Sequence, residues 1–107
     1  MVKRAAGEAR SKLLTAGLLF RRVAVEAPIE ATIEFNGRGL CWDVIKVNSH
    51  VAARRMSWYR ITPRFRFSVW AGEEPLPIEI NLRTGHFLKL LSFQILVDNV
   101  TVYSEHA

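Results

Sequence analysis

The stretch Arg60-Ile61-Thr62-Pro63-Arg64-Phe65-Arg66-Phe67-Ser68-Val69-Trp70 decides the fold class. Ile61, Phe65, Phe67 and Val69 fall on one side of an extended chain, and Arg60, Thr62, Arg64, Arg66 and Ser68 on the other. A period of two is the signature of a strand with one buried and one wet face. Pro63 cannot donate to a ladder, so the strand either begins after it or lies at a sheet edge.

Working outward, the same pattern recurs. Downstream of the Gly72-Glu73-Glu74-Pro75 loop, Ile78, Ile80 and Leu82 alternate with Glu79, Asn81 and Arg83 up to Thr84-Gly85. Phe87 to Val97 is apolar on both sides and predicts a central strand covered on each face; Asp98-Asn99 turns the chain into a last strand over Val100 to Tyr103. Upstream, Ile29, Ala31, Ile33 and Phe35 alternate with Glu30, Thr32 and Glu34 before an Asn36-Gly37 turn. Cys41 to Val47 reads as a strand returned by Asn48-Ser49 into Val51 to Arg55. Six or seven short strands with closely spaced turn signals predict an all-β domain, a small antiparallel β-sandwich, over residues 28–107. Ile29–Phe35 followed by Ile45-Lys46-Val47-Asn48 echoes Ile78–Leu82 followed by Ile95-Leu96-Val97-Asp98, as two similar hairpin units facing each other would.

Before Pro28 the spacing changes. Val2, Ala5, Ala6, Ala9, Leu13, Ala16 and Phe20 recur every three or four residues, which predicts a basic amphipathic helical extension over residues 1–27. Gly7 and Gly17 each cost such a helix about 1 kcal/mol, so it needs docking, on its own domain, a partner or an acidic membrane. Leu18 to Val25 is ambiguous and could instead run on as a first strand.

The chain has 107 residues, half of them apolar, which excludes disordered and low-complexity classes. Its longest apolar run, Ala16 to Phe20, is far short of the ~20 residues of a membrane span. The net charge of +5 is uneven: residues 1–26 carry +4 and residues 27–107 only +1. A near-neutral sandwich is a weak candidate for a dedicated polyanion binder. Glu8, Arg10 and Lys12 interrupt any secretory signal; a mitochondrial presequence fits more closely, but Glu8, Glu26 and the scarcity of Ser count against it. A single cysteine, Cys41, forms no internal disulfide, which points to a reducing, cytoplasmic setting.

Ile33-Glu34-Phe35, Val47-Asn48-Ser49-His50, the Arg54-Arg55-x-x-Trp58 stretch, a Phe-rich strand, Ile78-Glu79-Ile80-Asn81-Leu82 and Ile95-Leu96-Val97-Asp98-Asn99 follow one another in an order that resembles the β-sandwich domain of the Fas apoptotic inhibitory molecule family. The likeness spans residues 29–104. In that family a strand ends in Val-Asp-Gly and a Lys/Arg-x-x-Trp stretch follows; here Ser49 and Asn99 stand where the turn glycines would be. The resemblance implies a non-enzymatic interaction domain with no catalytic residues to carry over.

The chemistry-bearing residues read as follows. Cys41 lies in a predicted strand, and His50, His86 and His106 are 36 and 20 residues apart, without the short-range pairs that metal sites draw on. A catalytic thiol would need one of these histidines folded against it; a small buried core cysteine is the simpler reading. Asn36-Gly37-Arg38-Gly39 lacks the lysine and helix of a phosphate loop. Glu30, Glu34 and Glu79 sit on wet strand faces and read as cross-strand partners of Arg60, Arg64 or Arg66. No cofactor or metal is expected. What stands out is Arg54, Arg55, Trp58, Tyr59, Arg64, Arg66 and Trp70, since Trp, Tyr and Arg dominate protein-binding hot spots. Strand parity turns Phe65 and Phe67 away from Arg64 and Arg66, which weakens the alternative of a single-stranded nucleic-acid-binding barrel. The expected role is a non-catalytic protein-interaction or structural module that binds a protein partner or a second copy of itself.

Overall fold

Alternating apolar residues need a second apolar surface to cover them, and two sheets supply it for each other. The computed structural model of the chain describes residues 2–17, 19–37, 42–56, 64–84 and 90–106. It contains ten strands: β1 (Lys3–Arg4), β2 (Arg10–Gly17), β3 (Phe20–Ala27), β4 (Ile29–Asn36), β5 (Trp42–Val47), β6 (His50–Met56), β7 (Arg64–Ala71), β8 (Glu74–Thr84), β9 (Leu90–Val97) and β10 (Val100–His106). The first six form one sheet in the order β2-β3-β4-β5-β6, with β1 on the free half of β4; the rest form a second sheet, β10-β9-β8-β7. All strand pairs within the sheets are antiparallel.

The core lies between the sheets. Val23, Val25, Ile29, Ile33, Phe35 and Ile45 of the first sheet meet Ile78, Ile80, Leu82, Phe93, Ile95 and Val97 of the second in one buried cluster. The ring of Phe35 stands 5.8 Å from Phe93 and 6.4 Å from Phe65, so the two sheets interlock through aromatic contacts. With each fully buried side chain worth about 1.5–3 kcal/mol before chain entropy is subtracted, the cluster needs neither disulfide nor metal.

The helical extension is absent. Residues 10–17 and 20–27 are a strand hairpin, and no helix occurs among the described residues. Val23, Val25 and Ala27 repeat every second residue and pack into the core, while β3 pairs with β4 along Phe20↔Asn36 to Val25↔Ala31. Residues 20–27 therefore belong to the body of the single domain. Gly7 has φ of +111°, outside any helix, and the apparent helical face upstream consists mostly of alanines, which bury too little to hold one. The strand count also exceeds the six or seven expected, because that segment contributes three strands. β9 is central in its sheet, as its apolar run predicts, but it is covered on one face only: Phe93, Ile95 and Val97 are buried while Leu91 is 37% exposed. An antiparallel sheet of a two-layer sandwich keeps one wet side.

The two halves repeat each other. β3–β6 and β7–β10 are four-strand meanders, and each carries an Arg–Glu pair across its first two strands, Arg22 with Glu34 and Arg66 with Glu79. In each, the first residue of a tight turn donates its N–H to the strand beside the hairpin: Asn48 to the Thr32 carbonyl of β4 at 2.8 Å and Asp98 to the Pro77 carbonyl of β8 at 2.9 Å. Both residues of each turn, Asn48-Ser49 and Asp98-Asn99, have positive φ, as a two-residue hairpin that follows the sheet twist requires. Ser49 at φ of +70° carries a strain that glycine lacks. Ser49→Gly is expected to raise stability by about 0.5 kcal/mol after the entropy of glycine is subtracted. Calorimetry should then show a melting point roughly 2–4 °C higher.

At one side of the sandwich the Arg21 guanidinium pairs with the Glu105 carboxylate and donates to the Gly17 and Phe20 carbonyls, joining β3 to β10. Tyr103 stands beside this pair, and burial, followed by the charge of Glu105, pushes its hydroxyl above the usual tyrosine range. On the opposite side of the sandwich β6 and β7 approach each other.

Candidate interaction edge

β6 ends the first sheet and β7 ends the second, and the two edge strands meet on the same side of the sandwich. Arg64, Arg66, Ser68 and Trp70 share the outer face of β7, while Phe65, Val69 and Ala71 are buried and Phe67 is half-buried. The alternation that defines the strand thus places both arginines and the tryptophan together.

Cross-strand partners hold the arginines. Arg66 Nε donates to Glu79 Oε1 at 2.9 Å, and Arg64 Nε donates to Asn81 Oδ1 at 3.0 Å while lying 3.9 Å from the same Glu79 oxygen. Asn81 Nδ2 donates to Glu79 Oε2 and to Gln94 Oε1, so the network runs from β7 through β8 to β9. The hydrogen bond from Asn81, then that from Arg66, holds the Glu79 carboxyl below its ordinary range. Glu79 is the carboxylate expected opposite these arginines. Glu34 instead pairs with Arg22, because it lies in the other sheet.

Beyond Arg66 the edge becomes apolar. Trp70 is 58% exposed and Val51, on β6, is 57% exposed. Both line a crevice of about 360 Å³ together with Val2, Val47, Asn48, His50, Ala52 and Val69. No carboxylate appears among the described residues of that lining. Val2 reaches the crevice because β1 lies along β4 while the Val2 N–H donates to the Trp70 carbonyl at 2.7 Å, so the N-terminal segment bridges the two sheets.

Of the seven residues singled out in the sequence, Arg64, Arg66 and Trp70 share one face, and Arg54 is exposed on the neighbouring edge strand β6. Arg55 is placed on β6 by its backbone, opposite Asp43. Trp58 and Tyr59 lie outside the described residues, as do Cys41 and His86. His50 is exposed beside the crevice. Among the described residues no three His, Cys, Asp or Glu side chains gather as a metal site would require, and no helix is long and apolar enough to cross a membrane.

Sequence reasoning missed two participants, Val51 and His50, which join Trp70 only because the two sheets bring their edges together, something no local pattern reports. It also missed a structural residue away from the edge: Asp43 is fully buried, the sole charged residue in that state among the described ones, and it is engaged in a polar interaction. Its signal was present, since Asp43 has the parity of the core residues Ile45 and Val47. Comparison of the chain with family models, with curated proteins and with solved structures finds no match to any of them.

Proposed function

We propose that this domain is a non-catalytic protein-interaction module that docks its partner at the β6–β7 edge. The observation that carries the reading is Trp70, left 58% exposed at the mouth of a crevice with the equally exposed Val51 beside it. A tryptophan offers about 200 Å² of mostly apolar surface, so covering the open half recovers about 3 kcal/mol on association. Arginines flanking an aromatic anchor are the composition of an interface hot spot. The resemblance to the Fas apoptotic inhibitory molecule domain, which implies interaction without catalysis, supports the same reading.

Single-stranded nucleic acid ranks lower. Glu79 pairs with both Arg64 and Arg66, leaving one net positive charge in that cluster, and Trp70 is the one ring on the outer face of β7 among the described residues. Affinity for a phosphate backbone grows with the number of phosphates neutralised, and one is few.

A photocrosslinking residue placed at Trp70, compared with one at Ser104 on the exposed face of β10, tests the site. Discrete adducts from position 70 and none from position 104 are expected when the full chain is illuminated in cell extract. Equal labelling from both positions, or none from position 70, removes this edge as the docking surface. Light scattering of the purified chain tells whether the adduct partner is a second copy.

A further inference from the structure

We infer that β7 accepts an additional strand along its open edge, donated by an extended partner segment in which acidic and apolar residues alternate. This rests on the interaction reading above and names the partner's chemistry.

The backbone of β7 sets the first condition. β7 is the last strand of its sheet, and among the described residues only Val2 pairs with its outer side. The Val2 N–H donates to the Trp70 carbonyl, so the polar groups of Trp70 point away from β8. Strand geometry gives Ser68, Arg66 and Arg64 the same orientation. Pro77, paired with Ser68, agrees: it has no N–H to offer, and its carbonyl accepts from Asp98 on the other side. An edge with outward N–H and C=O groups is the template for strand addition. Val2, itself a one-residue strand in parallel register with Ala71, shows that the edge takes such a partner. Because Val2 occupies the end near Ala71, the stretch whose outward groups pair with no other strand among the described residues is 64–68.

Side chains set the second. Residues of an added strand opposite Arg64 and Arg66 share the outer face with them, and the residues between point inward, toward the half-buried Phe67. On the outer face of β7 itself stand two guanidiniums, Arg64 and Arg66, 48% and 67% exposed, with Glu79 of β8 as their common carboxylate. The excess of one positive charge favours an acidic side chain there, and the ring of Phe67 favours an apolar one between. A second copy of β7 is a poorer occupant. Antiparallel pairing centred on the open stretch sets Arg66 against the same residue of the other copy, a like-charge pair.

Anisotropy titrations with the full chain test this, using a fluorescein-labelled Gly-Glu-Val-Glu-Val-Glu-Gly peptide, its Gly-Lys-Val-Lys-Val-Lys-Gly counterpart and an oligothymidylate. The acidic peptide is expected to bind saturably, and the other two at least about tenfold more weakly. Ser68→Pro removes an N–H that points outward and leaves the β7–β8 ladder whole, so the fold survives while affinity for the acidic peptide drops about tenfold or more. Arg66→Glu reverses the preference between the two peptides and serves as the independent variant if Ser68→Pro folds poorly. Absence of saturable binding by the acidic peptide overturns the inference. So does binding that neither substitution alters, or tighter binding of the oligothymidylate. Should any of these occur while crosslinks at position 70 persist, the interaction module stands and strand addition at β7 falls; if the crosslinks vanish too, both fall.

Discussion

Phe93→Ala is expected to remove about 3–5 kcal/mol of stability. Phe93 is fully buried at the middle of β9, its ring 5.8 Å from Phe35 in the facing sheet and 6.1 Å from Tyr103 on the adjacent strand. Truncation deletes the contacts on both sides and leaves a cavity that two hydrogen-bonded sheets cannot collapse to fill. A domain of this size is stable by about 5–15 kcal/mol, so the loss is a large share of the whole. Urea titration followed by circular dichroism reads it, and the melting point should fall by at least roughly 12 °C. A cost below about 1.5 kcal/mol contradicts a core in which this ring joins the sheets.

Asp43→Ala is expected to cost a comparable amount, about 3–5 kcal/mol, by a different route. The side chain of Asp43 is wholly buried on the inner face of β5 and is engaged in a polar interaction, so its removal leaves that partner unsatisfied. Asp43→Asn preserves the volume and hydrogen-bonding capacity and should cost less than Asp43→Ala. The ordering of the two variants separates a polar role from mere space filling. Equal losses in both point to the charge itself, and a loss under about 1 kcal/mol in Asp43→Ala shows a side chain that water still reaches.

Much of the fold is legible in the chain from Ile29 onward. Ile29, Ala31, Ile33 and Phe35 are buried where alternation puts them, and so are Ile78, Ile80 and Leu82. β7 runs Arg64–Ala71 at the edge of its sheet, a position open to a strand next to a residue that cannot donate to a ladder; residues 60–63, Pro63 included, lie outside the described residues. Asn48-Ser49 and Asp98-Asn99 are tight turns because Asn and Asp tolerate the left-handed backbone better than most residues. The site was partly legible by the same rule, since Arg64, Arg66 and Trp70 have one parity.

Residues 2–20 misled. Small residues every three or four positions suit a helix, yet β2 stays mostly exposed and is held by its ladder to β3, a pairing energy that amphipathic spacing does not register. Nor does alternation say which strands share a sheet, so the separation of Glu34 from Arg64 was invisible.

Periodicity and turn chemistry are local, set by the sterics of a few neighbouring residues, and they determined this protein's strand class, the inward set of side chains and the outward set on β7. Which edges lie together is a matter of long-range packing. Only the closure of two sheets over one core could bring Val51 of β6 and the N–H of Val2 to Trp70.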